Sequence, residues 1–217
     1  MDTLNAINEL LRMPSPAPKP LGLAFDGGTL WMGSRETNRI YAIDAAKWTA
    51  SDEAIAPGGP FGMTMLGDEL RMVIGHGDAD DRYIHRFIPG HGFKTETLAC
   101  PEFTGAHLAY DGDTLFLTQA THKRILALDG QGNIVRAIDL PRRPVGMTIH
   151  EASFYLITAD DEFENIVFCK VDARGEKPAV AELASVPFEA RGLAFDGSRF
   201  WTSHRDNNEI VAFERPA

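Results

Sequence analysis

One pattern repeats along this chain and limits what it can fold into. Gly22 to Asp44 reads GLAFDGGTLWMGSRETNRIYAID and returns near the other end as Gly192 to Glu214, GLAFDGSRFWTSHRDNNEIVAFE. An intermediate copy, His107 to Asp129, keeps the spacing without a gap, and two more start at Gly62 and Gly146. A period of roughly 40 residues marks stacked supersecondary units, each too small to bury its apolar face alone.

Within each copy the strands are legible. GLAFD is short and nearly all apolar, as in a strand covered on both faces. Asp26-Gly27, Asp111-Gly112 and Asp196-Gly197 are strong hairpin signals. TLWMGS and its equivalents make a second strand, and a polar loop leads to a third such as NRIYAID. A fourth, more polar strand precedes Pro57, Pro101, Pro141 and Pro187.

The last copy stops after its third strand. Residues 1–13 fit two patterns: an amphipathic helix, with Leu4, Ile7 and Leu11 at helical spacing, or an orphan fourth strand. AINELLRMP aligns with AVAELASVP of the fourth copy, so an outer strand over residues 5–13 is preferred. Completing the fifth sheet with it hides two edges that otherwise invite aggregation. The reading is an all-β, five-bladed β-propeller of four-stranded antiparallel blades, a single domain over residues 1–217. Its repeats begin near 22, 62, 107, 146 and 192, and the N-terminal strand closes the ring. PSPAPKP, Pro14 to Pro20, is a stiff extended connector rather than a domain linker.

The pattern G-[LM]-[AT]-[FMI]-D-G-x-[LF]-W followed by R-I-Y-A-[IL]-D resembles the repeats of a large propeller superfamily. That group includes virginiamycin B lyase, gluconolactonase-type lactonases, YVTN and NHL repeat proteins and plant-type glutaminyl cyclotransferases; the last are five-bladed. The resemblance covers the chain from Gly22 on. It implies the propeller fold, and lyase or hydrolase chemistry on a small molecule.

Bulk properties remove several classes of function. The net charge of −10, with no Lys/Arg run, argues against nucleic acid. No apolar run approaches the ~18 residues of a membrane span, and the N-terminus MDTLNAINELL lacks a signal-peptide h-region, so a cytoplasmic chain is expected. Cys100 and Cys169 fall in non-adjacent repeats, which predicts two buried thiols rather than a disulfide.

In a propeller the ligand face is where the first strand starts and the second ends. His107 takes the position that glycine holds in the other copies. It is expected to point into the channel as acid, base or ligand, or as a plug bonded to a carbonyl or water. Ser34, Gln119 and His204 end the second strands, with Arg35 and Arg205 beside two of them; Arg191 and His76 share the face. His107 and His204 are the acid/base candidates, with Gln119 and His76 as further ligand contacts. Arg35, Arg191 and Arg205 either clamp a carboxylate or phosphate or pair with neighbours such as Glu36 and Asp206. The acidic loops Gly75 to Asp81 and Asp160 to Glu164 hold Asp78, Asp80, Asp81, Asp160, Asp161 and Glu162. These suit Ca²⁺ or Mg²⁺, or form solvated loops; His76 beside them suits a transition metal. The functional expectation is a small, anionic ligand at the channel mouth, the alternative a non-catalytic propeller docking a protein partner on its loop face.

Overall fold

Alternating strands and glycine turns fold each repeat into an antiparallel meander in the computed structural model, which describes residues 4–174 and 178–216. After β1 (Glu9–Pro14), blade one is β2 (Pro20–Asp26), β3 (Thr29–Ser34), β4 (Arg39–Asp44) and β5 (Thr49–Ile55). Blade two is β6 (Gly59–Leu66), β7 (Glu69–His76), β8 (Asp81–Ile88) and β9 (Gly92–Ala99). Blade three is β10 (Leu108–Tyr110), β11 (Leu115–Gln119), β12 (Arg124–Leu128) and β13 (Ile134–Asp139). Blade four is β14 (Arg143–His150), β15 (Ser153–Ala159), β16 (Ile166–Asp172) and β17 (Ala179–Val186). Blade five is β18 (Ala190–Phe195), β19 (Phe200–His204) and β20 (Glu209–Phe213), completed by β1 in the sheet order β18-β19-β20-β1.

The N-terminal segment is therefore a strand and not a helix, and it does more than close blade five. While Glu9 to Pro14 pair with β20, the residues before them reach blade four, where the Ile7 amide donates to Ser185 O at 2.9 Å and Ser185 N to Asn5 O at 2.9 Å. Arg12 adds an ion pair with Glu209 at 2.7 Å.

The turn chemistry follows the sequence. Asp111 accepts from the amides of Asp113 and Thr114, and Asp196 from those of Ser198 and Arg199, while Gly112 and Gly197 take positive φ. Blade four lacks the glycine, and Glu151 and Ala152 adopt left-handed φ of 49° and 56° themselves.

Five apolar clusters fill the seams between blades, one per seam. Trp201 and Leu30 lie between blades five and one, and Phe168, Phe200 and Phe213 between four and five. Each fully buried side chain of this size contributes about 1.5–3 kcal/mol. Cys100 and Cys169 are buried free thiols, and burial pushes their pKa values up to about 12 and about 11. No helix among the described residues is long and apolar enough to cross a membrane.

Around the axis the inner strands nearly touch. A Cβ on Gly22 would stand 1.9 Å from Phe61 O, one on Gly62 2.4 Å from His107 Cα, and one on Gly146 2.6 Å from Gly192 O. Gly22→Ala accordingly destabilises the fold by about 3 kcal/mol or more, because a backbone atom has to move. Gly130→Ala, with open space around it, stays within about 0.5 kcal/mol. Urea unfolding of the two variants checks the contrast.

Candidate functional site

The residue before each inner glycine, or before His107, stands at the rim of the channel: Leu21, Phe61, Ala106, Val145 and Arg191. Only one of the five is charged. Arg35 follows the end of β3 and Arg205 the end of β19, so the meander delivers all three predicted arginines to the same face. They meet with Phe61, Phe163, Glu162, Glu189 and Asp206 around one open basin of about 670 Å³.

The arginines are held in two clusters of like construction. Arg191 Nη2 lies 2.7 Å from Glu189, which Arg205 also approaches at 3.6 Å. Across the basin Asp80 accepts from Arg35 at 3.0 Å and from Arg82 at 3.1 Å. The basin lining itself holds three arginines, Arg35, Arg191 and Arg205, and three carboxylates, Glu162, Glu189 and Asp206, so it is formally balanced. Arg35 and Arg82 both stack on Phe61, at 4.1 and 3.8 Å from its centroid, and Arg191 lies over Phe163 at 4.8 Å. Such stacking fixes a guanidinium plane while leaving donors for a ligand. Arg191 is only 9% exposed, and its pKa is lowered, first by burial. Arg205 Nε is buried without a partner.

Pairing with sequence neighbours does not occur as expected: Arg35 crosses to Asp80 rather than Glu36, and Arg205 turns to Glu189. Asp206 pairs with Lys19 at 3.1 Å. Glu162, also on the basin, has no ion-pair partner among the described residues.

His107 is 5% exposed and outside the residues that line the basin, its ring beside Gly62. Its amide donates to Thr118 Oγ1 at 2.8 Å. Its pKa is pushed down to about 3, by burial first and then by Arg191 and Arg82. It is a neutral imidazole at physiological pH and, because burial and the two arginines disfavour the imidazolium, a weak base there.

Three sequence candidates lie elsewhere. His204 stacks on Phe188 at 4.7 Å, and Arg12 covers that ring at 5.1 Å, so it faces the closing strand rather than the basin. Gln119 donates to Pro101 O at 2.9 Å and Thr104 Oγ1 at 2.8 Å and accepts from Arg124 at 2.6 Å, which makes it a brace for the Pro101–Gly105 turn. His76 points to His85 inside blade two. Among the acids, Asp80 belongs to the arginine cluster and Asp161 pairs with Lys123 and Arg143. Asp160 accepts from the amides of Glu164 and Asn165 and from the Asn165 side chain. Asp78 is exposed in its loop. No three metal-type side chains gather among the described residues.

Sequence reasoning missed Arg82, Glu189, Phe61 and Phe163. Phe61 had a signal, since it shares its motif position with Arg191; the other three lie where the copies do not align.

No protein-family model matches the chain, and no curated protein sequence does. Solved structures do. Glutaminyl cyclase from Myxococcus xanthus aligns with a TM-score of 0.73 at 10% identity over 97% of each chain. The PQQ-bound aldose sugar dehydrogenase from Streptomyces coelicolor gives 0.63 at 12% identity, covering 96% of this chain and 98% of that one. Virginiamycin B lyase from Staphylococcus aureus gives 0.53 at 13%, covering 94% and 98%. At these identities the likeness is one of fold, the five-bladed β-propeller here and structures that include enzymes there.

Burial of histidines sets a pH dependence. His85 is lowered to about 4 and His107 to about 3, so below pH 6.5 the unfolded chain binds protons that the folded chain refuses. The two contribute no slope above pH 7. Between pH 6.5 and about 4, stability falls by about 1.4 kcal/mol per pH unit for each. His204, shifted the same way, adds to this slope. Urea titrations across this window are expected to show a shallower slope in His107→Ala, by about one proton.

Proposed function

We propose that the basin binds a small anionic metabolite, with Arg191, Arg205 and Arg35 as the cationic contacts and the buried His107 close to Arg191. The observation that carries this reading is the gathering of Arg35, Arg191 and Arg205 on one basin, with Arg35 stacked on Phe61 and Arg191 on Phe163. Guanidinium groups present paired N–H donors that match a carboxylate or phosphate, and partial burial strengthens each contact. Arg205 Nε, buried and unpartnered, gives one donor still to be satisfied.

In this reading the protein acts as a lyase or hydrolase in which His107 takes a proton from a bound, anionic substrate. His107, with its pKa pushed down to about 3, becomes an effective base only when a bound anion offsets Arg191 and Arg82 and raises that pKa, while the arginines stabilise negative charge as it develops. The fold likeness to glutaminyl cyclase and virginiamycin B lyase agrees with a catalytic use of the channel mouth but names no substrate for this chain. The rival reading, a docking face for a protein partner, draws on Phe103 and Phe163, which are 47% and 39% exposed on the loop side.

A thermal-shift panel of small carboxylates and phosphates tests the proposal. A ligand at 100 times its Kd stabilises the wild type by about 2.7 kcal/mol. Arg205→Gln and Arg191→Gln abolish that shift while their unliganded melting stays cooperative. Equal shifts in wild type and both variants sink the arginine assignment. With a ligand in hand, His107→Ala is expected to retain binding and lose turnover.

A further inference from the structure

Outside the basin, blade two holds a histidine pair that the proposed function does not use. His76 ends β7 and His85 lies within β8, and their Nε2 atoms are 2.8 Å apart. The ring centroids are 5.0 Å apart and the planes 25° from parallel. That centroid separation is close to the largest a 2.8 Å contact between ring nitrogens permits. The imidazoles therefore lie end to end, nearly coplanar, and the two Nε2 lone-pair directions share one line.

We propose that this pair is a two-coordinate site for a monovalent soft cation, copper(I), bound linearly between His76 Nε2 and His85 Nε2. Two bonds of about 2 Å each place the nitrogens about 4 Å apart. The rings have to separate by about an ångström from the present hydrogen-bonded position. His76 is only half buried and supplies that movement, while His85, 5% exposed, stays fixed.

Three features select this ion. Collinear donors suit linear two-coordination; four-coordinate zinc needs donors converging from separate directions. No carboxylate forms an ion pair or a hydrogen bond with either ring among the described residues, so both ligands are neutral and a monovalent ion costs less to desolvate than a divalent one. Aromatic rings flank the pair, Tyr83 edge-on to His76 at 5.5 Å and Phe93 against His85 at 6.3 Å; across the strands buried Met72 is the partner of His85 and Asp81 that of His76.

The apo arrangement is poorly satisfied. His85 Nδ1 is buried with no partner whether or not Nε2 holds a metal, so what binding changes is the exchange of a single imidazole–imidazole hydrogen bond for two metal–nitrogen bonds. Copper binding needs both Nε2 lone pairs, with each ring carrying its proton on Nδ1. The bridging proton shifts tautomer, and no net proton is released.

The test is anaerobic titration of the whole chain with copper(I) against a chromophoric copper(I) chelator, followed by X-ray absorption of the loaded protein. One copper per chain is expected, with two nitrogen neighbours at about 2 Å and an imidazole outer shell. His76→Ala, at a half-buried position, is expected to weaken binding by about a hundredfold without loss of fold, and His85→Leu to do the same. Sulfur-only coordination, which would place the metal on Cys100 or Cys169, overturns the proposal. So does unchanged affinity in a folded His76→Ala variant, or no copper retained by the wild type against the chelator.

Discussion

The ring exists because backbone can touch backbone around the axis. Where Gly22, Gly62, Gly146 and Gly192 pass their neighbours, no side chain fits: the gap to the next carbonyl or Cα is smaller than one methyl group. With the inner strands this close, the seams between blades become narrow apolar slots, and one cluster fills each. The fifth inner position carries His107 instead. Its imidazole is forced into a water-poor wall, and its neutrality follows from that placement.

The same geometry explains why charge collects at one mouth. Second strands end there, and the residues just beyond them are free of the ladder and able to be long and polar. Arginine answers three demands at once in this place: it stacks on Phe61 or Phe163, bonds a carboxylate in the neighbouring loop or blade, and keeps donors turned toward the basin. Asp80 depends on Gly75 for its position, since a Cβ there would meet its Oδ1 at 1.9 Å. A net charge of −10 overall is therefore compatible with a mouth where three arginines gather among three carboxylates.

The fold was readable in the sequence because propeller blades write their turns and packing residues in register. Asp-Gly pairs and the inner glycines each had one physical meaning, AINELLRMP was legible as a strand only by its match to the fourth copy against a helical reading, and the structure keeps all three. The site was partly readable. Arg35, Arg191 and Arg205 could be placed at one mouth by counting from the motif, whereas their partners Asp80 and Glu189 come from irregular segments whose path no period dictates. His204 sits at the same motif position as Ser34, yet Phe188 and Arg12 draw it toward the closing strand. Motif position fixes where a Cα goes, and the neighbouring blade decides where the side chain turns.

The N-terminal strand has a consequence for how the chain reaches this form. Arg12 and Glu209, its pairing partners, are 197 residues apart, so the final seam joins segments that meet only after nearly everything between them is ordered. Until then β20 and β17 each present a bare edge. By gripping both, residues 5–14 act as a latch whose closing is slow and entropically costly but whose opening exposes two blades together. Resistance to proteolysis and to strand exchange is thus concentrated in about ten residues.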